Sequence, residues 1–274
     1  MSARSYPFSV GRCACAVLLD GAAVIGRDGV LRRHPDATEA DYRRAYAEIG
    51  LSLDDADSSL NVLVANVGGE TVLVDAGEGS PKGGHLLASL ALAGLAPDDI
   101  TLVVITHTHG DHVQGLLAAD GRPAFPNATY VISQEEMAFW QARVAGGLAS
   151  HQPIIALMQQ RGLRLIALDE QIVPGLTAVP IPGHTPGQIG LLLESDADKL
   201  LHLADLLHSP MQFAHPEWSA SFDADTSVSV PSRRRALQRA ADEGALTLFY
   251  HLTFPGLGRV TPAGAGFAWE PLAR

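Results

Sequence analysis

The stretch "VVITHTHGDHVQG", residues 103–115, constrains the fold of this 274-residue chain more than any other part of its sequence. Its apolar first half, rich in Val and Ile, predicts a buried strand that ends near Thr106. Four polar residues then follow within six positions: His107, His109, Asp111 and His112. Functional side chains are often placed at such strand ends by a rigid scaffold. The stretch therefore predicts a strand that ends in a polar site, with a helix beginning inside it.

The spacing of these four side chains is typical of metal binding. His107 and His109 are two positions apart in an extended segment, so both imidazoles face the same way. Asp111 and His112 belong to the start of the following helix and face a second point nearby. Imidazoles combined with a carboxylate suit borderline metals such as zinc. A lone histidine is most often an ordinary structural residue, whereas four such residues in six positions favour a metal site.

A pair of metal ions needs more ligands than this stretch supplies, and three further candidates follow other apolar runs. They are His184 after "LTAVPIPG", Asp205 after "KLLHLA" and His251 after "LTLFY". Each of them follows its apolar run as His107 does. We therefore expect one edge of a layered fold to gather all of these side chains.

Short apolar runs alternate with helical patterns along most of the chain. Gly68 and Gly69 join two predicted strands, 60–67 and 70–77. Further strands are predicted over 100–106, 176–181, 189–193, 199–204 and 245–250. Helices are predicted over 81–93, from the capping box of Ser133 and Glu136 onward, and over 232–243. The alternation predicts an α/β layered fold, and no linker-like segment divides it, so we expect one domain across residues 1–274.

The composition narrows the choice of partners. A formal net charge of -11 repels phosphate backbones and anionic lipid, so neither nucleic acid nor a membrane surface is expected. The basic run 233–235 is expected to form a solvated helix face. The apolar N-terminal stretch is short and ends at Asp20, so we expect no signal peptide, no membrane span and a cytoplasmic location. A small-molecule substrate is the partner that fits these properties.

Four segments between residues 106 and 258 resemble the successive motifs of the metallo-β-lactamase superfamily: "THTHGDH", "PGHTPGQ", "LADLLH" and "YHLTFPGLG". The resemblance implies an αββα four-layer sandwich, in which two mixed sheets pack together with helices on their outer faces. Residues 1–55 carry no motif of similar specificity and are expected to be the N-terminal part of the same domain. The resemblance also suggests a homodimer.

The same resemblance implies a set of metal ligands for two divalent ions per chain, with zinc expected. His107, His109 and His184 would bind the first ion, and Asp111, His112 and His251 the second. Asp205 would bridge them. Asp111 would also orient the attacking hydroxide, which gives it a catalytic role beside its role as a ligand.

A narrower similarity is carried by "LADLLHSPMQF", "SFDADTS" and "HLTFPGLGRV", which look like methyl parathion hydrolase and the lactonases grouped with it. Many acyl-homoserine lactonases of the superfamily have Tyr three residues after the bridging aspartate, where this chain has His208. A catalytic, proton-transferring His208 and a structural His208 both fit this position. Aromatic residues flank the motifs, and Trp140 and Phe213 are predicted to line an apolar substrate cleft, with core packing as the alternative.

These features predict a dinuclear metal-dependent hydrolase that cleaves a neutral lactone or ester. Phosphotriester hydrolysis, as in methyl parathion hydrolase, is the alternative within the same chemistry. An alternative of another class is a catalytically silent metal-binding protein that kept the scaffold. Such a protein would be expected to have lost at least one ligand, and all seven are present here.

Overall fold

The computed structural model describes residues 2–272, and within that range a long N-terminal hairpin begins a seven-stranded sheet. Its strands follow chain order: β1 (Arg4–Val10), β2 (Cys13–Val24), β3 (Asp57–Val67), β4 (Glu70–Val74), β5 (Leu102–Val104), β6 (Thr129–Ser133) and β7 (Leu163–Ile166). Neighbours from β1 to β4 pair antiparallel, and neighbours from β4 to β7 pair parallel. The first sheet is therefore mixed.

A second seven-stranded sheet is formed by the later part of the described chain. Its strands are also neighbours in chain order: β8 (Gln171–Val173), β9 (Leu176–Pro180), β10 (Ile189–Ser195), β11 (Asp198–His202), β12 (Leu246–Leu248), β13 (Leu257–Ala263) and β14 (Gly266–Pro271). All pairs are antiparallel except β11 with β12. Strands β9, β11 and β12 consequently run in one direction, so their carboxyl ends meet at one edge.

Eight α-helices lie among these strands in the described residues: α1 (Gly26–Arg33), α2 (Glu39–Glu48), α3 (Leu86–Leu92), α4 (Gly110–Val113), α5 (Gln134–Ala145), α6 (Gln152–Gln160), α7 (Met211–Ala214) and α8 (Thr226–Glu243). Short 3-10 turns are formed by Leu53–Asp55, Ser80–Lys82, Pro97–Asp99, Gln114–Leu116, Ala149–His151 and Ala204–Leu206. None of the helices in residues 2–272 combines the length and the apolar character that a membrane crossing requires.

Apolar side chains form layers that confirm the αββα sandwich. One core lies between the sheets and joins residues such as Val17 and Leu63 of the first sheet to Leu191 and Leu200 of the second. A second core packs α3, α5 and α6 against the outer face of the first sheet. A third packs α8 against the outer face of the second. Each sheet is therefore covered on both of its faces, which explains why its strands are near-continuous apolar runs in the sequence.

The observed structure differs from the predictions at several places. The helix predicted over 232–243 begins six residues earlier, at Thr226. The helix predicted over 81–93 begins only at Leu86, because Gly83 adopts a left-handed conformation with φ of 90° and ends the preceding turn. The basic run 233–235 was expected to be solvated, but Arg233 is buried and donates hydrogen bonds to the carbonyls of Leu206 and Pro216. The turn predicted at Gly68 and Gly69 is confirmed, since both residues have positive φ between β3 and β4.

Candidate metal centre

Three imidazoles converge from two loops at the edge where β5 and β9 end. The loop after β5 carries His107 and His109, and the loop after β9 carries His184. His109 Nδ1 lies 3.1 Å from His107 Nε2 and 2.9 Å from His184 Nε2. Two nitrogen ligands of a tetrahedral zinc ion lie roughly 3.3 Å apart, given Zn–N bonds of about 2.0–2.1 Å. The three rings therefore have a spacing that suits one shared ion.

Asp205 lies between this group and a second one. It follows β11 in a 3-10 turn whose first residue, Ala204, has a φ of 40°, so local backbone strain turns the carboxylate inward. Asp205 Oδ2 lies 3.6 Å from His107 Nε2 and 3.5 Å from His184 Nε2. Asp205 Oδ1 faces the other way and lies 3.2 Å from His112 Nε2. The carboxylate thus lies between the two groups, with Oδ2 near histidines of both and Oδ1 near His112.

The second group comprises Asp111, His112 and His251, whose ligand atoms lie within 4.8 Å of one another. His251 follows β12, and its Nε2 lies 3.6 Å from Asp111 Oδ2 and 3.0 Å from Asp205 Oδ2. The Asp111 side chain is 28% exposed, whereas both histidines are buried. The centre therefore opens toward solvent on the Asp111 side.

Two buried atoms test whether these residues fit metal ions. His112 Nε2 and Asp205 Oδ1 face each other at 3.2 Å, yet among the described residues neither has a partner in hydrogen-bonding geometry. An unsatisfied buried nitrogen and oxygen are costly, by about 1–3 kcal/mol each. A cation bound by both atoms removes that cost, so the residues fit a pair of divalent ions.

Three groups behind the histidines fix which ring nitrogen faces inward. Asp75 Oδ2 lies 2.8 Å from His112 Nδ1, and Asp223 Oδ1 lies 2.9 Å from His184 Nδ1. The Ser59 carbonyl oxygen lies 3.1 Å from His251 Nδ1. When Nδ1 donates its proton to such an acceptor, the Nε2 lone pair is left to bind a metal. All three Nε2 atoms accordingly face Asp205.

The electrostatic balance of the centre also favours cations. Burial raises the pKa of Asp205, but the imidazoles of His112, His251 and His107 outweigh burial and hold that pKa well below its usual range. Burial and the neighbouring His184 lower the pKa of His109 to about 3. An ionised Asp205 and a neutral His109 are the protonation states that bind metal. Burial lowers the pKa of His112, but the carboxylates of Asp205, Asp75 and Asp111 outweigh burial and raise that pKa well above its usual range, so a metal ion bound there would displace a proton.

The family model described as "Metallo-beta-lactamase superfamily" matches residues 55–251, well over half of the chain, and that range contains every ligand candidate. The chain belongs to the metallo-beta-lactamase superfamily. The resemblance found in the sequence and the fold it implied are therefore confirmed.

Relatives within the superfamily are lactonases and hydrolases. An N-acyl homoserine lactonase of Bacillus cereus is 26% identical over 168 residues, which is 61% of this chain and 62% of the relative. The chain thus aligns with about three fifths of the length of such curated relatives. Two solved structures align more fully. The dizinc quorum-quenching lactonase AidC, in complex with a product, has a TM-score of 0.90, 28% identity and coverage of 99% of this chain and 98% of its own. The hydrolase AbOPH has a TM-score of 0.88, 26% identity and coverage of 100% and 99%.

His208 lies beside the ligand candidates of this superfamily member. Its Nε2 is 3.1 Å from Asp205 Oδ2, and its ring stacks on His251 with centroids 5.0 Å apart. Burial lowers the pKa of His208 to about 3, although the hydrogen bond to Asp205 opposes that shift. His208 Nδ1 has no partner among the described residues. Catalytic and structural roles for His208 both remain compatible with this placement.

The two aromatic residues predicted to contact substrate are buried among core side chains. Trp140 is fully buried in the core outside the first sheet, and its Nε1 donates to His151 Nδ1 at 3.1 Å. Phe213 is buried and stacks on Trp269 with centroids 5.1 Å apart. Their substrate roles stay predictions that this burial does not support. Phe222 is an aromatic residue beside the centre, 40% exposed and with its ring centroid 4.7 Å from that of His208.

The supporting carboxylates were not among the site residues predicted from the sequence. Asp75 follows β4 in "VLVDAG", and Asp223 lies in "SFDADTS". Each is a single acidic residue far in sequence from the histidine it holds, so no spacing pattern marks it. The one available signal was position, since Asp75 follows the end of a buried strand as His107 does.

Proposed function

We propose that this protein is a dinuclear metal-dependent hydrolase that opens neutral lactones. The observation that carries the proposal is the position of Asp205, whose carboxylate lies between two groups of imidazoles. It is 3.2 Å from His112 and 3.0 Å from His251 on one side and 3.5 Å from His184 on the other. A carboxylate in this position is suited to bridge two ions. Similarity to a dizinc lactonase over 99% of the chain supports the same use of the site.

The ligand assignment is part of this proposal. The first ion would be held by His107, His109 and His184, the second by Asp111, His112 and His251, and both by Asp205. Histidine and carboxylate donors at these spacings favour zinc. When bound, two such ions supply Lewis acidity and lower the pKa of water from about 15.7 toward roughly 7.

The side chains around the ligands have separate tasks in this proposal. Asp111, the most exposed of the ligand carboxylates, orients the attacking water at the open side. His208 is placed to hold or transfer a proton at Nε2. Phe222 offers an exposed apolar ring beside His184 and His208 for a carbon-rich part of the substrate.

The charge of the protein favours an uncharged substrate. A net charge of -11 repels anions from the surface, and the exposed ring of Phe222 beside His184 and His208 carries no charge. An acyl lactone is neutral and carries an apolar chain, so it matches both properties. N-acyl homoserine lactones are the acyl lactones on which the Bacillus relatives are named to act.

Three further properties belong to the same proposal. We propose one domain for residues 1–274, supported by the core between the sheets, which joins residues from Val10 to Leu257. A homodimer and a cytoplasmic location stay predictions made from the sequence.

Hydrolysis of N-hexanoyl homoserine lactone by zinc-loaded and by chelator-treated protein tests the function. We expect ring opening by the loaded protein only, with restored turnover when zinc is added back. The same assay with an aryl ester, methyl parathion and a β-lactam ranks substrates, and the lactone should have the highest kcat/KM. A tenfold preference for methyl parathion, about 1.4 kcal/mol of transition-state stabilisation, would replace the proposed substrate class.

A further inference from the structure

One buried carboxylate near the centre has no place in the ligand set. Glu136 lies in the first turn of α5 and is fully buried. Its Oε1 accepts hydrogen bonds from the backbone N–H and the hydroxyl of Thr108, at 2.9 and 2.8 Å. Its Oε2 accepts from the Thr185 hydroxyl at 2.6 Å and from the Gly187 N–H at 3.2 Å. All four donors therefore belong to the two loops that carry His107, His109 and His184.

The start of α5 is in direct contact with the loop of His184. A Cβ added at Gly187 would lie 2.0 Å from the backbone nitrogen of Glu136, so only glycine allows this approach. The hydroxyl of Ser133, the N-cap of the helix, donates to the Gly187 carbonyl at 2.6 Å and accepts from the Glu136 N–H. The helix start thus fixes the loop through backbone and side chain together.

The chemistry of the four contacts requires a carboxylate. Within residues 2–272, no Lys, Arg or His lies at ion-pair distance from Glu136, so its charge is satisfied by neutral donors alone. An amide in its place would offer one acceptor oxygen and one NH2 group. The NH2 group would face the backbone N–H of either Thr108 or Gly187. The threonine hydroxyl beside it can turn to accept, but that N–H would lose its acceptor, so one loop would be held less firmly.

We propose that Glu136 is a positioning residue for one of the two ions, because it locks the loop of His107 and His109 to the loop of His184. The inference rests on the proposed metal-dependent function. The second group is held by other contacts, namely Asp75 on His112, the Ser59 carbonyl on His251 and the Tyr250 hydroxyl on the Asp111 carbonyl. Loss of Glu136 should therefore weaken binding of the first ion and leave binding of the second ion unchanged.

The first experiment compares Glu136→Gln with Glu135→Gln, which removes the same charge from an exposed neighbour in the same helix turn. Each protein is loaded with Zn²⁺, dialysed against graded concentrations of a chelator and analysed for zinc. We expect Glu135→Gln to lose each of its two ions at the same chelator concentration as wild type does. In Glu136→Gln, the affinity for one ion should be at least tenfold lower, so that ion is lost at a lower chelator concentration, and the affinity for the other ion should not change. A tenfold loss lies within the range found for residues that orient metal ligands. Retention of both ions, or equal weakening of both, would overturn the proposal.

Substitutions at Thr185 keep the test decisive if Glu136→Gln does not fold. Thr185→Val removes one donor to Glu136 at nearly constant volume, and Thr185→Ser restores the hydroxyl. With Co²⁺ as probe, Thr185→Val should change the absorption bands of one ion only and weaken that ion, and Thr185→Ser should resemble wild type. Identical Co²⁺ spectra and affinities in all three proteins would contradict a positioning role.

Failure of the two ideas can be told apart in these measurements. If wild type binds fewer than two ions, the proposed dinuclear function is wrong. If wild type binds two ions and Glu136→Gln binds both as tightly as wild type, or both equally more weakly, only the proposed role of Glu136 is wrong.

Discussion

Asp75 Oδ2 lies 2.8 Å from His112 Nδ1, and neither side chain is exposed to solvent. The same carboxylate accepts hydrogen bonds from the N–H and the hydroxyl of Thr106, so it fixes the strand end and the imidazole together. Asp75 therefore orients a ligand of the second ion, as Glu136 orients the loops of the first.

Asp75→Asn tests this relationship. An asparagine NH2 group would face either the Thr106 N–H or His112 Nδ1, so one of the two would lose its acceptor and the imidazole would be held less firmly. We expect the affinity for one zinc ion to fall about 10–100-fold, measured by chelator competition. Asp169→Asn, which changes an exposed aspartate, is the control. Unchanged affinity in Asp75→Asn would refute an orienting role.

Asp205→Ala removes the oxygen atoms that face both groups, so we expect it to hold one zinc ion or fewer where wild type holds about two. His184→Ala removes a ligand of the first group only and should retain one ion. Both variants should lose nearly all lactone hydrolysis while their circular dichroism stays that of a folded chain. Turnover at the wild-type level in either variant would show that the ligand assignment is wrong.

His208→Ala distinguishes a catalytic from a structural histidine. If His208 transfers a proton, kcat should fall by about 10²-fold, because positioned proton donors contribute to that extent. Zinc content should not change, since His208 is outside the proposed ligand set. A variant with wild-type kcat would establish the structural role.

His34→Asn should reduce the loss of stability in mild acid. His34 is buried, its Nδ1 lies 3.2 Å from the Ser219 carbonyl oxygen, and burial lowers its pKa to about 4. The unfolded chain, with a histidine pKa near 6.5, binds the proton first, so the free energy of unfolding falls as the pH decreases from about 6.5 to about 4. This one group should account for about 3 kcal/mol of that decrease.

Denaturant titrations at pH 7.5 and pH 4.5 measure the effect in wild type, in His34→Asn and in His85→Asn, a control at a partly exposed position. The asparagine NH2 group retains a donor for the Ser219 carbonyl, which isolates the change in titration. Equal pH dependence of wild type and His34→Asn would contradict the expected linkage.

Trp140→Phe distinguishes a core-packing role of Trp140 from a substrate-binding role. Loss of indole volume and of the hydrogen bond to His151 should lower the free energy of unfolding by about 2 kcal/mol. The KM for the lactone should not change, because Trp140 is fully buried. A raised KM at unchanged stability would support the substrate role predicted from the sequence.

The sequence predicted the metal centre better than it predicted the surroundings of the centre. His107, His184, Asp205 and His251 each follow an apolar run, and strands of both sheets that end at one edge of the sandwich are enough to bring them together. For Trp140 the sequence left core packing and substrate contact open, because its place beside a motif says nothing about which face of α5 it occupies. Its full burial in the outer core was visible only in three dimensions.

The supporting residues could not be predicted for a related reason. Asp223 holds His184 across 39 positions of sequence, and Arg233 is buried because it pairs with Asp223 at 3.2 Å and binds loop carbonyls. A charged residue in a short basic run is usually solvated, so only its tertiary partners reveal this use. The predicted helix is likewise interrupted at Gly83 because that one residue has a positive φ, which the sequence pattern does not reveal.

The ligand candidates are divided between the two halves of the sandwich. His107 to His112 follow the first sheet, whereas His184, Asp205 and His251 follow strands of the second. Neither half has a complete coordination sphere, so ions are captured only after the sheets have docked. During synthesis on the ribosome, the site is completed only once His251 has left the exit tunnel. Uptake of the proposed metal ions is thus expected late in maturation, and bound ions would hold the two halves together against separation.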